Sequence, residues 1–170
     1  DLSRFSAAWW ALVDTGGVNL RVYEGTDTSA PVPFDIVKCD TGASTGTLFF
    51  KANISNGAYK VFWIKPVLAA TALPYTDTYG RNNVWNNYEA VLIASVVDYD
   101  KNRHGNANNL TFSGGMGISG DNFVGDGTDD IATAIVTKFT SWSTAISVAP
   151  SSDTGNTRTP LGYTDGTAAN

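Results

Sequence analysis

The stretch TLFFKANISNGAYKVFWIK, residues 47–65, decides the fold. Thr47 to Ile54 reads as one strand and Tyr59 to Lys65 as the next, because both are dense in β-branched and aromatic residues. Ser55-Asn56-Gly57 between them is tight-turn chemistry, since Asn and Gly both tolerate positive φ. The pair is therefore expected to form a β-hairpin, with Leu48, Phe50, Ala52 and Ile54 on one face. Pro66 stops the second strand.

Strand signals continue on either side. Upstream, the apolar run Phe5 to Val13 ends in the turn residues Asp14-Thr15-Gly16-Gly17. Leu20 and Val22 then alternate with polar neighbours. Thr26 to Pro33 is a loop with two prolines, and Phe34 to Cys39 is a short strand. Downstream, residues 68–87 form a long loop with Pro74, Gly80 and four asparagines. Tyr88 to Val97 is an apolar strand suited to a sheet centre. Residues 100–128 are polar and glycine-rich, with a short strand at Leu110 to Phe112. Ile131, Ile135, Phe139, Trp142 and Ile146 recur at helical spacing, yet 131–148 is crowded with Thr, Ser, Val and Ile, which favour strand. Periodicity alone leaves that segment open between helix and strand.

Composition narrows the function. Of 170 residues, 42% are hydrophobic and only 16% charged, too apolar for a disordered chain and low in charge for a free-standing surface. Subunits of assemblies have this balance, because neighbouring chains cover surface. A net charge of −5 argues against nucleic acid as a main partner. Lys51, Lys60 and Lys65 lie in a stretch without acids, a strip able to touch phosphate, although a solvated strand face is the favoured reading. Cys39 is the single cysteine, so no internal disulfide forms, and it is expected as a buried free thiol. No apolar run is long enough to span a membrane. The opening at Asp1 without Met is expected to reflect a removed leader, a removed longer N-terminal region, or late numbering.

Few residues suggest a site. His104, the single histidine, has no partners in sequence for a triad or a metal centre and reads as a loop residue. Gly115 to Gly120 matches G-x-G-x-x-G without a surrounding βαβ unit and reads as a plain glycine loop. Asp121, Asp126, Asp129 and Asp130 cluster around glycines and are the candidates for a calcium site, although the loop-closing Glu of an EF-hand is missing. Asn53-Ile54-Ser55 and Asn109-Leu110-Thr111 are glycosylation sequons. Tyr75, Tyr79, Trp85 and Tyr88 gather in or beside the long loop, either as a ligand platform for sugars or as buried pins of the loop. No paired carboxylates form a recognisable catalytic site, so the chain is not expected to be an enzyme.

Two stretches carry a family resemblance. The segment from Tyr88 to Val148 resembles laminin-G-like and concanavalin A-like modules. An apolar strand is followed by a polar segment (Asp100 to Thr111), a glycine turn (Gly114-Gly115), an aspartate-rich turn (Phe123 to Asp130) and a tryptophan-containing strand (Phe139 to Val148). Residues 9–66 resemble a small β domain that often precedes such modules in bacterial surface proteins and phage structural proteins, with 76–85 as the junction. The resemblance implies an all-β, antiparallel β-sandwich of jelly-roll type, and strand rather than helix at 131–148. It implies an N-terminal β domain at 1–84, a partial laminin-G-like sandwich at 85–150 and a polar tail at 151–170.

Members of that family vary in sugar and calcium binding, so neither carries over residue by residue. A full module would continue past residue 150, so the second sandwich is expected to be completed by the N-terminal half or by neighbouring chains. Phe139, Trp142 and Ile146 are then expected at assembly contacts. The resulting expectation is a structural or decorating component of a phage particle, located in the virion, whose partners are itself or other structural subunits. The alternative is a secreted or cell-surface carbohydrate-binding module using the loop aromatics, with glycans as partners. The order of elements in 9–100 also resembles the coat protein of small RNA bacteriophages.

Overall fold

The structure is a computed structural model and describes residues 1–25, 30–88, 91, 93, 111–119, 122–126 and 131–133. The described elements are strands apart from three short helical turns, so the chain is of the all-β class. After a helical turn, α1 (Ala7–Trp10), and a 3-10 turn come β1 (Leu20–Glu24), β2 (Ala30–Pro31), β3 (Phe34–Asp40), β4 (Thr45–Phe50) and β5 (Phe62–Pro66). A second helical turn, α2 (Arg81–Val84), sits in the long loop. Among the described residues no helix is long and apolar enough to cross a membrane.

These strands make two antiparallel sheets, one ordered β2-β1-β5 and one pairing β3 with β4. The hairpin expected over 47–65 is therefore not formed. β4 pairs with β3, placing Phe34 opposite Phe50 and Ile36 opposite Leu48, while β5 pairs with β1, placing Val22 opposite Ile64. The Asn56-Gly57 turn does exist, with the Ala58 N–H donating to the Ser55 carbonyl at 3.0 Å and Gly57 at φ 75°. It lies in the connection between the sheets. Turn chemistry is local, whereas β1 is an interior strand whose open edge needs a second partner, and β5 supplies it. The turn that does close a hairpin joins β3 to β4, where the Asp40 carboxylate accepts the Ala43 N–H at 2.9 Å.

One core serves both sheets. Leu20, Val22, Phe34 and Leu48 are buried in it together with Leu2, Trp10, Val13 and Val32, and Phe50, Phe62 and Ile64 pack against them. Leu48 and Phe50 point inward as expected, but the strand ends at Phe50 and Ile54 is 57% exposed. A β-bulge between Ile36 and Lys38 keeps the alternation useful. Strict period-2 spacing from Phe34 and Ile36 would aim Lys38 at the core; the extra residue puts Cys39 there instead. The N-terminal segment is tied on by polar contacts. Trp9 Nε1–H donates to the Ile64 carbonyl at 3.2 Å, and the buried Asn19 donates to the Leu12 carbonyl and accepts the Asp14 N–H.

Farther along, β6 (Thr111–Ser113) pairs with β9 (Ile131–Thr133), and β7 (Gly117–Ser119) with β8 (Asn122–Val124), both antiparallel. The G-x-G-x-x-G stretch thus contributes a strand rather than a plain loop. The Phe112 and Phe123 rings meet edge-on, 5.8 Å apart. Residues 131–133 are strand; 134–148 and the tail 151–170 lie outside the described residues, as does most of 88–97.

Replacing the fully buried Leu20 with Ala is expected to cost about 2–5 kcal/mol in urea unfolding, through lost transfer energy and the cavity left behind. Replacing the exposed Ile54 with Ala is expected to change stability by no more than about 0.5 kcal/mol. Cys39 is a half-buried free thiol whose pKa is raised, first by burial and then by the neighbouring Asp40 charge. A raised pKa leaves less thiolate at a given pH. Iodoacetamide is therefore expected to modify Cys39 more slowly in the native protein than in the urea-unfolded chain at the same mildly alkaline pH.

Candidate functional site

The long loop is built as a fixed structure. Proline and Asp start its turns: the Asp77 N–H donates to the Pro74 carbonyl, and the Asp77 carboxylate accepts the Tyr79 N–H at 2.8 Å. The Asn83 side chain donates to the carbonyls of Asp77 and Thr78, at 3.0 and 3.2 Å. Gly80 is required by close approach, since a Cβ there would stand 2.4 Å from the Pro74 carbonyl oxygen. The Phe34 N–H donates to the Tyr79 carbonyl at 3.1 Å, which hangs the loop on β3.

The loop covers the outer side of the β3–β4 pair. On that side Asp35 faces Phe49, and Asp35 is only 3% exposed. A buried carboxylate must be hydrogen-bonded, and Trp85 Nε1–H donates to its Oδ2 at 2.8 Å. The Trp85 ring then lies 5.3 Å from Phe49 and 5.9 Å from Tyr88, whose own ring is exposed. The four aromatics expected as a ligand platform therefore divide. Trp85 and Tyr88 form a rim with Phe49, while Tyr75 lies against the buried Arg81, 3.6 Å from guanidinium carbon to ring centroid. Tyr79 is held through its backbone.

Beside this rim is an open groove of about 500 Å³, lined by Pro33, Lys51, Ala52, Asn53, Thr76, Thr78, Asn83 and Asn86. Lys51 follows Phe49 by two positions, and its N–H continues the ladder to the Pro33 carbonyl at 3.0 Å, so both side chains leave the same side of the chain. Its ammonium is hydrogen-bonded to the Asn86 side-chain oxygen. The groove thus offers amides, hydroxyls and one cation, with Lys51 two positions from Phe49 and Asn86 adjoining Trp85, a set suited to a polyhydroxylated ligand. Phe49 and the groove asparagines carry no ligand signal of their own in the sequence, where Lys51 stands only as one lysine of a solvated or phosphate-touching strip. The run Asn82, Asn83, Asn86, Asn87 was the available signal, but an asparagine-rich loop is equally a turn signal.

The other expected residues fall elsewhere. Of the calcium candidates, Asp126 is exposed and its carboxylate packs on Gly115, where a Cβ would stand 2.5 Å away. Asp121, Asp129 and Asp130 lie outside the described residues, as do Phe139, Trp142, Ile146 and His104. Among the described residues no group of three or more metal-ligating side chains converges. Of the three lysines read as one solvated face, only Lys51 lines the groove: Lys60 pairs with Glu24 at 2.7 Å, and Lys65 lies over the Tyr23 ring.

Trp85→Phe keeps an aromatic ring on Phe49 and removes the indole hydrogen bond to Asp35. It is expected to cost about 1.5–3 kcal/mol in urea unfolding, the range for a hydrogen bond to a charged group. Comparison with protein-family models, with curated proteins and with solved structures gives no match for this chain.

Proposed function

We propose that the chain is a non-catalytic glycan-binding module with β-sandwich architecture, carried on a virion or cell surface. The observation behind this reading is the polar groove beside the Phe49–Trp85–Tyr88 rim. Sugars present hydroxyls on their edges and apolar C–H patches on their faces, so hydrogen-bonding side chains next to aromatic rings match both. The core that β1, β3, β4 and β5 share supports the sandwich part of this reading. The resemblance of residues 88–148 to laminin-G-like modules supports the same reading, since some members of that family bind sugars.

A second reading, a structural or decorating component of a phage particle held by contacts with other chains, is favoured by a different surface. Tyr59, Val61 and Trp63 alternate along the edge strand β5 and its approach, and are 91%, 51% and 48% exposed. An apolar row on a sheet edge is a site for chain–chain contact.

A glycan array probed with the purified protein separates the two. Binding that Tyr88→Ala weakens by about tenfold, in line with loss of roughly one stacking contact, supports the module. An array without any ligand, together with sedimentation as a large assembly that Trp63→Lys dissociates, favours the structural component instead.

A further inference from the structure

We infer that the groove takes an acidic sugar, with the sugar carboxylate on Lys51; this rests on the glycan-binding reading and names the substrate class. The chain as a whole is acidic, at −5, so a general attraction for anions is not built into it. Yet no Asp or Glu side chain is among the described residues lining the groove, which otherwise consist of amides, hydroxyls, an alanine and a proline.

Lys51 is set apart from the other two lysines of its stretch. Lys60 is neutralised by Glu24 at 2.7 Å, and Lys65 is placed against the Tyr23 ring. The partner of Lys51 is the Asn86 amide oxygen, which orients the ammonium without cancelling its charge. An ammonium has three donors, and Asn86 takes one. A carboxylate in the groove would complete the set with a charge-assisted bond, stronger than any a neutral hydroxyl makes there.

The remaining groups suit the rest of such a ligand. The Asn83 amide nitrogen donates to the loop carbonyls of Asp77 and Thr78, so what this groove-lining side chain has left for a sugar hydroxyl is its acceptor oxygen. Thr76 and Thr78 supply hydroxyls that both donate and accept. A single cation among neutral hydrogen-bonding groups therefore distinguishes a uronate from the corresponding neutral sugar mainly through Lys51.

Isothermal titration with tetragalacturonate, its neutral counterpart α-1,4-galactotetraose and a sulfated oligosaccharide tests this on the full chain. The uronate is expected to bind at least about tenfold tighter than the neutral sugar, a difference that shrinks as salt is raised. Lys51→Gln is expected to remove that difference by weakening the uronate far more than the neutral sugar, and Lys51→Arg to restore it. The unfolding midpoint of each variant shows that it folds. Equal binding of neutral and acidic sugars, indifferent to Lys51→Gln, overturns the inference and leaves the glycan reading standing. Preference for the sulfated ligand over the uronate overturns the carboxylate assignment. Absence of binding by all three overturns the acidic-sugar inference and counts against the glycan reading as well.

Discussion

The pairing of β1 with β5 is the constraint from which the rest of the described architecture follows. β1 is the interior strand of its sheet, with Leu20 and Val22 fully buried, and its ladder must be satisfied on both edges. β2 covers only the end of one edge, at Tyr23 and Glu24, whereas β5 runs the full length of the other. Because β5 is committed to β1, β4 is left to β3. Residues 51–61 become a passage from one sheet to the other: the Lys51 N–H makes a last rung on the Pro33 carbonyl, and the chain leaves the ladder after it. That departure is what lets Ala52 and Asn53 line a groove beside Lys51.

The second dependency is electrostatic. Asp35 lies on the outer side of a two-stranded sheet, opposite Phe49, and would be an ordinary solvated carboxylate if nothing covered it. The loop that covers it brings Trp85, whose indole N–H bonds the carboxylate while its ring continues the aromatic surface begun by Phe49. One residue thus satisfies a buried polar group and builds the rim. The same coverage positions Asn86 on Lys51, so the polar and aromatic parts of the site share one support.

Individual strands were legible in the sequence because alternation is local: Leu20 with Val22, and Leu48 with Phe50, face the core as their spacing implies. Their pairing was not legible. Asn56-Gly57 is a stronger hairpin signal than Thr41-Gly42-Ala43-Ser44, yet the latter closes the hairpin, because the competition is decided by the edge of β1, far away in sequence. The bulge after Ile36 has no local signature either; it answers the problem of Lys38, visible only once Cys39 is seen against the core. Trp85 and Tyr88 were recognisable as ligand candidates by type and loop position. Their separation from Tyr75 depends on where Arg81 packs, which periodicity does not encode.

The long-range ladder also has a temporal side. β3 and β4 meet across four residues, whereas Glu24 and Phe62 enclose all of β2, β3 and β4. Closing roughly forty residues costs about 2 kcal/mol more chain entropy than closing roughly four, so the β3–β4 hairpin has the head start. On the ribosome the delay is longer: at about 5–20 residues per second, roughly forty residues separate β1 from its partner by about 2–8 s. Through that interval the nascent chain carries Leu20 and Val22 on a strand whose longer edge is open. The strand that holds two of the most deeply buried described residues is thus, for a few seconds of its synthesis, an exposed liability.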